Sequence, residues 1–167
     1  MIQKKVCLLG AFAVGKTSLV ARFVSSMFSD TYQTTIGVKI DKKSLQIGDT
    51  TVNLLLWDMA GQDECHKLRP SYLGGASGYL LVVDGTRRAT LDQVFPLHES
   101  ITATIGNIPF VLVLNKADLV DAWELDQEAM AAVTARNWMV ITTSAKTGRG
   151  VEEAFLMLTQ SMLAGLA

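Results

Sequence analysis

The chain has 167 residues, 49% apolar and 19% charged, with fifteen Lys and Arg against sixteen Asp and Glu for a formal net charge of −1. That length suits one domain with a two- or three-layer core that needs no disulfide or metal, and the apolar fraction excludes a disordered chain. With no basic run, nucleic acid is not an expected partner; Cys7 and Cys65 lack CxxC or metal-ligand spacing, which points to a reducing, cytoplasmic setting. Lys4-Lys5 and the apolar run from Val6 imitate a signal peptide, but the run leads straight into Gly15-Lys16-Thr17, which a strand feeding a loop explains better. No apolar run is long enough to cross a bilayer. Met162–Ala167 offers neither a prenylatable cysteine nor a polybasic segment, so no lipid anchor is expected in this chain.

Along the chain, β-rich apolar runs alternate with helical patterns. Strands are expected at Lys5–Gly10, Val38–Ile47, Thr51–Asp58, Gly78–Asp84, Pro109–Asn115 and Trp138–Thr143. Helices are expected at Lys16–Ser26, within Glu64–Leu73, and at Thr90–Ile105, Asp126–Arg136 and Val151–Leu163, with Asp126 as an N-cap. The turn Ile47-Gly48-Asp49-Thr50 makes strands two and three an antiparallel hairpin, and the helical connections are expected to be right-handed parallel crossovers. The expected architecture is therefore α/β, a three-layer αβα sandwich on a six-stranded mixed sheet with five helices, in one domain spanning residues 1–167. The two long loops are Met27–Gly37 and Ala60–Pro70. Ligands of such sheets sit beyond the carboxyl ends of the parallel strands.

Gly10-Ala11-Phe12-Ala13-Val14-Gly15-Lys16-Thr17 matches GxxxxGK[ST] after a strand and at the start of a helix, the context a phosphate-binding P-loop requires. Glycines let the backbone wrap amides around phosphate oxygens, and the helix N-terminus adds its positive dipole end. Lys16 supplies a charge to the β and γ phosphates, and Thr17 a hydroxyl to Mg²⁺. The loop by itself fits ATP or GTP equally.

Asn115-Lys116-Ala117-Asp118 ends the fifth strand and Ser144-Ala145-Lys146 the sixth. A carboxylate only accepts, so Asp118 pairs with the N1–H and exocyclic amine of guanine, whereas adenine lacks that amine and presents N1 as an acceptor. The Ala145 amide is expected to donate to guanine O6. Order and strand-end position together favour guanine over adenine.

Trp57-Asp58-Met59-Ala60-Gly61-Gln62 closes the third strand. Asp58 is expected to hold Mg²⁺ through a water, the Gly61 amide to face a γ-phosphate, and Gln62 to orient the attacking water. Thr35, in Thr34-Thr35-Ile36-Gly37, offers Mg²⁺ a second hydroxyl and the γ-phosphate an amide. Loss of that phosphate would release both long loops, an order-to-disorder switch. Composition favours Phe28 as a core anchor and places Trp57 exposed on the face opposite Leu56. His66 and His98 show no partner spacing.

In order, GAFAVGKT, TTIG, WDMAGQ, NKAD and SAK span residues 10 to 146, and the whole chain resembles the Ras superfamily of small GTPases. Ile36-Gly37-Val38, Trp57–Gln62 and Tyr72-Leu73-Gly74-Gly75-Ala76 look most like the Rab branch. The resemblance implies a molecular switch that binds GTP or GDP with Mg²⁺ and hydrolyses GTP to GDP. Its nucleotide set is Ala13, Val14, Gly15, Lys16, Thr17, Ser18, Phe28, Thr35, Gly61, Asn115, Lys116, Asp118, Ser144, Ala145 and Lys146. Thr17, Thr35 and Asp58 serve the metal, and Gln62, Lys16 and Thr35 the chemistry. Phe28 becomes the ring that packs on guanine. Effectors, exchange factors and activating proteins are implied at loops 27–37 and 60–70 and at the Ile40, Trp57 and Tyr72 surface.

Four departures qualify that inheritance. Phe12 stands where the family has a small residue and is expected to displace Gln62 or block an incoming arginine finger, slowing hydrolysis. Loop 27–37 holds no arginine, so any finger is expected in trans. Asp63 replaces the Rab glutamate after Gln62. The lipidated tail of eukaryotic members has no counterpart, so the chain works in the cytosol, is recruited by another protein or has lost a tail. The alternative function is a GTP-binding interaction module with very slow hydrolysis; an ATPase or nucleotide kinase would need an adenine-compatible loop or a lid, and neither is visible. Partner identities, pathway and oligomeric state are not encoded in these motifs.

Overall fold

The computed structural model describes residues 1–26, 28, 37–59 and 69–165. Among them run β1 (Ile2–Gly10), α1 (Lys16–Ser25), β2 (Val38–Ile47), β3 (Thr50–Met59), α2 (Pro70–Leu73), β4 (Ala76–Asp84), α3 in two segments (Arg88–Asp92 and Val94–Ile105), β5 (Phe110–Asn115), a 3-10 turn (Val120–Ala122), α4 (Gln127–Ala135), β6 (Val140–Thr142) and α5 (Val151–Ala164). The strands form one sheet in the order β2-β3-β1-β4-β5-β6, with β2 antiparallel to β3 and every other neighbour parallel. This is the expected six-stranded mixed sheet with five helices.

Alternation along β1 sorts the core into two layers. Val6 and Leu8 pack with Leu19 and Phe23 of α1 and Phe155 and Leu158 of α5, while Cys7 and Leu9 face Leu91, Val94 and Ile101 of α3 and Ala129 and Val133 of α4. Both faces of the central strands are buried, as a parallel sheet requires. Phe23 and Phe155 stack at 4.0 Å and join α1 to α5.

Local chemistry explains the boundaries. Asp126 caps α4, its side chain accepting from the Ala129 amide at 2.8 Å, as expected. The third helix begins at Arg88 and breaks at Gln93, where one continuous helix from Thr90 is expected. Pro96 has no N–H for the Asp92 carbonyl four residues earlier, and its ring crowds that carbonyl. In the expected helix within Glu64–Leu73 the described part is Pro70–Leu73, with Pro70 at the first helical position; residues 64–68 lie outside the described residues. The sixth strand is only Val140–Thr142.

Strand order reverses between β1 and β4: the chain leaves β1 toward β3 on one side, and β4 toward β5 on the other. The carboxyl ends of β1, β3, β4, β5 and β6 converge there, which is the crevice where such sheets bind ligands.

Candidate functional site

The loop from β1 into α1 requires unusual backbone. Gly15 has φ 102°, and a Cβ there would run into Asn115 Nδ2; Ala13 sits at φ 62°, the left-handed region that a side chain disfavours. Five successive carbonyls each accept from a side-chain donor. Lys16 Nζ reaches Gly10 O at 3.1 Å and Ala11 O at 3.0 Å. Arg87 holds Phe12 O at 2.7 Å, Lys116 holds Ala13 O at 3.0 Å, and Asn115 Nδ2 holds Val14 O at 3.0 Å. In a trans peptide the next N–H points opposite to the carbonyl, so pinning carbonyls 12, 13 and 14 outward turns the amides of Ala13, Val14 and Gly15 to the other side. Helix α1 starts from Gly15 with no side-chain cap, and the positive end of its dipole faces the loop's concave side, where an anion would sit.

Lys16 is 6% exposed. Burial pushes its ammonium down to about 8, Asp58 pulls it back up, and Arg87 lowers it further. Thr17 Oγ1 donates to Asp58 Oδ2 at 2.5 Å across 41 residues of sequence, so two of the three expected metal ligands meet at the ends of α1 and β3. A hydroxyl beside a buried carboxylate is an oxygen set that fits Mg²⁺, an ion that brings its own waters. Among the described residues no cluster of three His, Cys, Asp or Glu exists that would suit another metal.

Asn115 is the joint between loops. Its Nδ2 donates to Val14 O, while its Oδ1 accepts from Thr143 Oγ1 at 3.0 Å and the Ala145 amide at 3.3 Å. The Ala145 amide, expected to face guanine O6, is therefore already engaged, though at a long distance. Asp118 Oδ1 accepts from Ser144 Oγ at 2.8 Å, tying the fifth and sixth strand ends together. Arg22 of α1 donates to Ala145 O at 2.8 Å and also to Lys146 O.

Sequence reasoning misses a buried carboxylate at the hub of this network. Asp84, 1% exposed at the end of β4, accepts from the Thr86 amide at 2.9 Å and Thr86 Oγ1 at 2.6 Å on Oδ1. On Oδ2 it meets Arg87 Nε at 2.9 Å and Lys116 Nζ at 2.9 Å. Burial alone would raise this carboxyl, but the hydrogen bonds from Thr86, Lys116 and Arg87 outweigh it and hold the group below its usual range. The available signal was a lone acid ending the otherwise apolar strand Tyr79–Val83.

The model of the Ras family matches residues 5–164. The Ras-related proteins RABF2b and RABF2a of Arabidopsis thaliana are each 35% identical over 164 residues, covering 96% of this chain and 82% of the relative. The Ras-related protein Rab-1 of Theileria annulata is 34% identical over 161 residues, covering 95% and 73%. The chain belongs to the Ras family. Within it the chain is Rab-like, a small GTPase switch.

In this Ras-family member Phe12 is 41% exposed in the loop between β1 and α1. Phe28 is 37% exposed and joins neither core layer, so the core-anchor reading from composition is corrected. Thr35, Gly61 and Gln62, with Asp63 and most of loops 27–37 and 60–70, lie outside the described residues. On the expected effector surface Ile40 is 50% exposed. Trp57 does face away from Leu56, as expected, but it is half-buried rather than exposed: Lys5 Nζ sits 3.6 Å over its ring while donating to Gly74 O at 2.8 Å, and Tyr72 lies 6.4 Å away. No helix among the described residues is long and apolar enough to cross a membrane.

Proposed function

We propose that this Ras-family chain binds GTP with Mg²⁺, hydrolyses it to GDP, and presents loops 27–37 and 60–70 to effectors, exchange factors and activating proteins. The observation that carries the reading is Asn115 and Lys116, predicted to serve the base, holding Val14 O and Ala13 O of the phosphate loop. One rigid unit thereby spans the base and phosphate ends of a nucleotide. Asp118 and the Ala145 amide select guanine, the amides of Ala13, Val14 and Gly15 cradle phosphate, and Lys16 moves from its carbonyls to phosphate oxygens. Mg²⁺, when bound, neutralises charge on the β and γ phosphates; Thr17, Asp58 and Thr35 hold it. Gln62 orients the attacking water, Phe28 packs on the base, and Ser18, Gly61, Ser144 and Lys146 complete the pocket.

Single-turnover conversion of bound GTP tests this. A Gln62→Leu variant is expected to retain GTP while losing conversion by at least about tenfold. Displacement of labelled GDP by an equal concentration of ATP would refute the guanine assignment.

The second reading, a GTP-binding module with very slow hydrolysis, is favoured by Phe12, whose side chain is half-exposed and whose backbone carbonyl is fixed by Arg87. Phe12→Gly would then accelerate hydrolysis, whereas equal rates in both proteins would remove this reading.

A further inference from the structure

Ala13 carries the strain of the phosphate loop. An alanine at φ 62° is displaced from its favoured backbone region, and such residues persist only where their surroundings over-determine them. Here the surroundings are specific. The carbonyl before Ala13, Phe12 O, is held by Arg87, and its own carbonyl by Lys116. Both cations are anchored on the same oxygen, Asp84 Oδ2, at 2.9 Å. The Lys116 arm belongs to the base-reading segment; the Arg87 arm is separate, reaches across 75 residues of sequence, and coincides with no motif.

Resting on the nucleotide-binding function proposed above, we propose that Arg87 is a positioning residue of the nucleotide site: through Asp84 it fixes the Phe12 carbonyl and so keeps Ala13 left-handed with its amide toward phosphate. The guanidinium makes its two bonds with different nitrogens, Nε to Asp84 and a terminal nitrogen to Phe12 O, whereas Lys116 makes its pair, to Asp84 and Ala13 O, with one ammonium. The Asp84 anchor also fixes the rotamer, so little freedom is lost when the carbonyl is gripped.

The strain makes the role separable from general structural support. Glycine has no preference against the left-handed region, so in an Ala13→Gly chain the loop needs less help from Arg87. The experiment loads the full chain with a fluorescent GDP and Mg²⁺ and follows release into excess GDP for wild type, Arg87→Ala, Arg87→Lys, Arg88→Ala, Ala13→Gly and the Ala13→Gly, Arg87→Ala double variant. Losing a hydrogen bond from a charged donor is expected to speed release about tenfold in Arg87→Ala. Arg87→Lys is expected to fall between it and wild type, and the neighbouring Arg88→Ala to match wild type. In the Ala13→Gly background the Arg87→Ala effect is expected to shrink below about threefold, with coupled sites behaving non-additively.

Release from Arg87→Ala within about twofold of wild type, or a full effect that persists in the Ala13→Gly background, overturns the inference while leaving nucleotide binding intact. A wild-type chain that takes up no guanine nucleotide overturns the function itself. If Arg87→Ala does not fold, Arg87→Lys carries the comparison: faster release that Ala13→Gly suppresses supports the role, and wild-type release overturns it.

Discussion

Replacing Lys16 with methionine removes a buried charge while keeping most of the side chain's volume, and the structure predicts little change in the stability of the nucleotide-free chain and a loss of binding. Lys16 is pushed from 10.5 down to about 8 by burial, a displacement that corresponds to about 3 kcal/mol held against folding while the ammonium is charged. The bonds to Gly10 O and Ala11 O, each from a charged donor and worth at least about 1.5 kcal/mol, are lost in the variant. The two terms offset to within about 1 kcal/mol, so in nucleotide-free buffer at about pH 7 the variant is expected to melt within about 4 °C of wild type. With saturating GDP the wild type becomes the more stable of the two, because it gains linkage stabilisation that the variant, lacking the charge for phosphate, does not.

The pH dependence has a defined sign. The folded value of about 8 lies below the unfolded 10.5, so between them the unfolded chain binds more protons and stability rises with pH; below 8 both states are protonated and the full penalty remains. Cys7 and Tyr79, both raised by burial, act in the opposite direction in alkali. They are common to both proteins, so the difference between wild type and Lys16→Met isolates Lys16. Urea unfolding of the two at about pH 7 and about pH 9.5 measures it. A methionine variant more than about 3 kcal/mol less stable than wild type at neutral pH without nucleotide, or a difference that does not change with pH, refutes the argument.

Three further outcomes follow from the packing. Asn115→Ala leaves Val14 O and the Thr143 hydroxyl in the interior without their partner, and is expected to cost about 2–4 kcal/mol in urea unfolding and to weaken GDP binding at least about tenfold. Gly85→Ala would drive a methyl into the ring of Trp123, with an expected loss of about 1–3 kcal/mol read as a lower melting temperature. Cys7, buried with its thiol pushed up to about 12, is expected to resist iodoacetamide at about pH 8 in a Cys65→Ser background and to react once urea unfolds the chain.

The strands and the polar segments that follow them were legible because each depends on a short stretch: an apolar run closed by Gly10, Asp58, Asn115 or Thr143, then polar residues. What escaped depends on distant pairings. Lys5 covers Trp57 only because parallel pairing sets Lys5 opposite Leu55 and Cys7 opposite Trp57, so the lysine and the indole emerge on one face. Asp84 becomes a hub only when β4 lies beside both β1 and β5, bringing the phosphate loop and Lys116 to one strand end. The break at Gln93 was readable from Pro96 and its carbonyl four residues back, but the helical periodicity runs through it and masks the signal.

That dependence on register bears on how the two ends of the site communicate. Ala13 at φ 62° and Lys116 at φ 71° are both left-handed without being glycine, and the Lys116 ammonium bonds the Ala13 carbonyl. Strain of about 1–2 kcal/mol at each residue is offset by shared bonds rather than by the residues themselves. A displacement of the Asn115–Asp118 loop therefore also releases the carbonyls of Ala13 and Val14. Base and phosphate contacts should weaken together when Asp84, Arg87, Lys116 or Asn115 is perturbed, because all four act on the same three peptide groups.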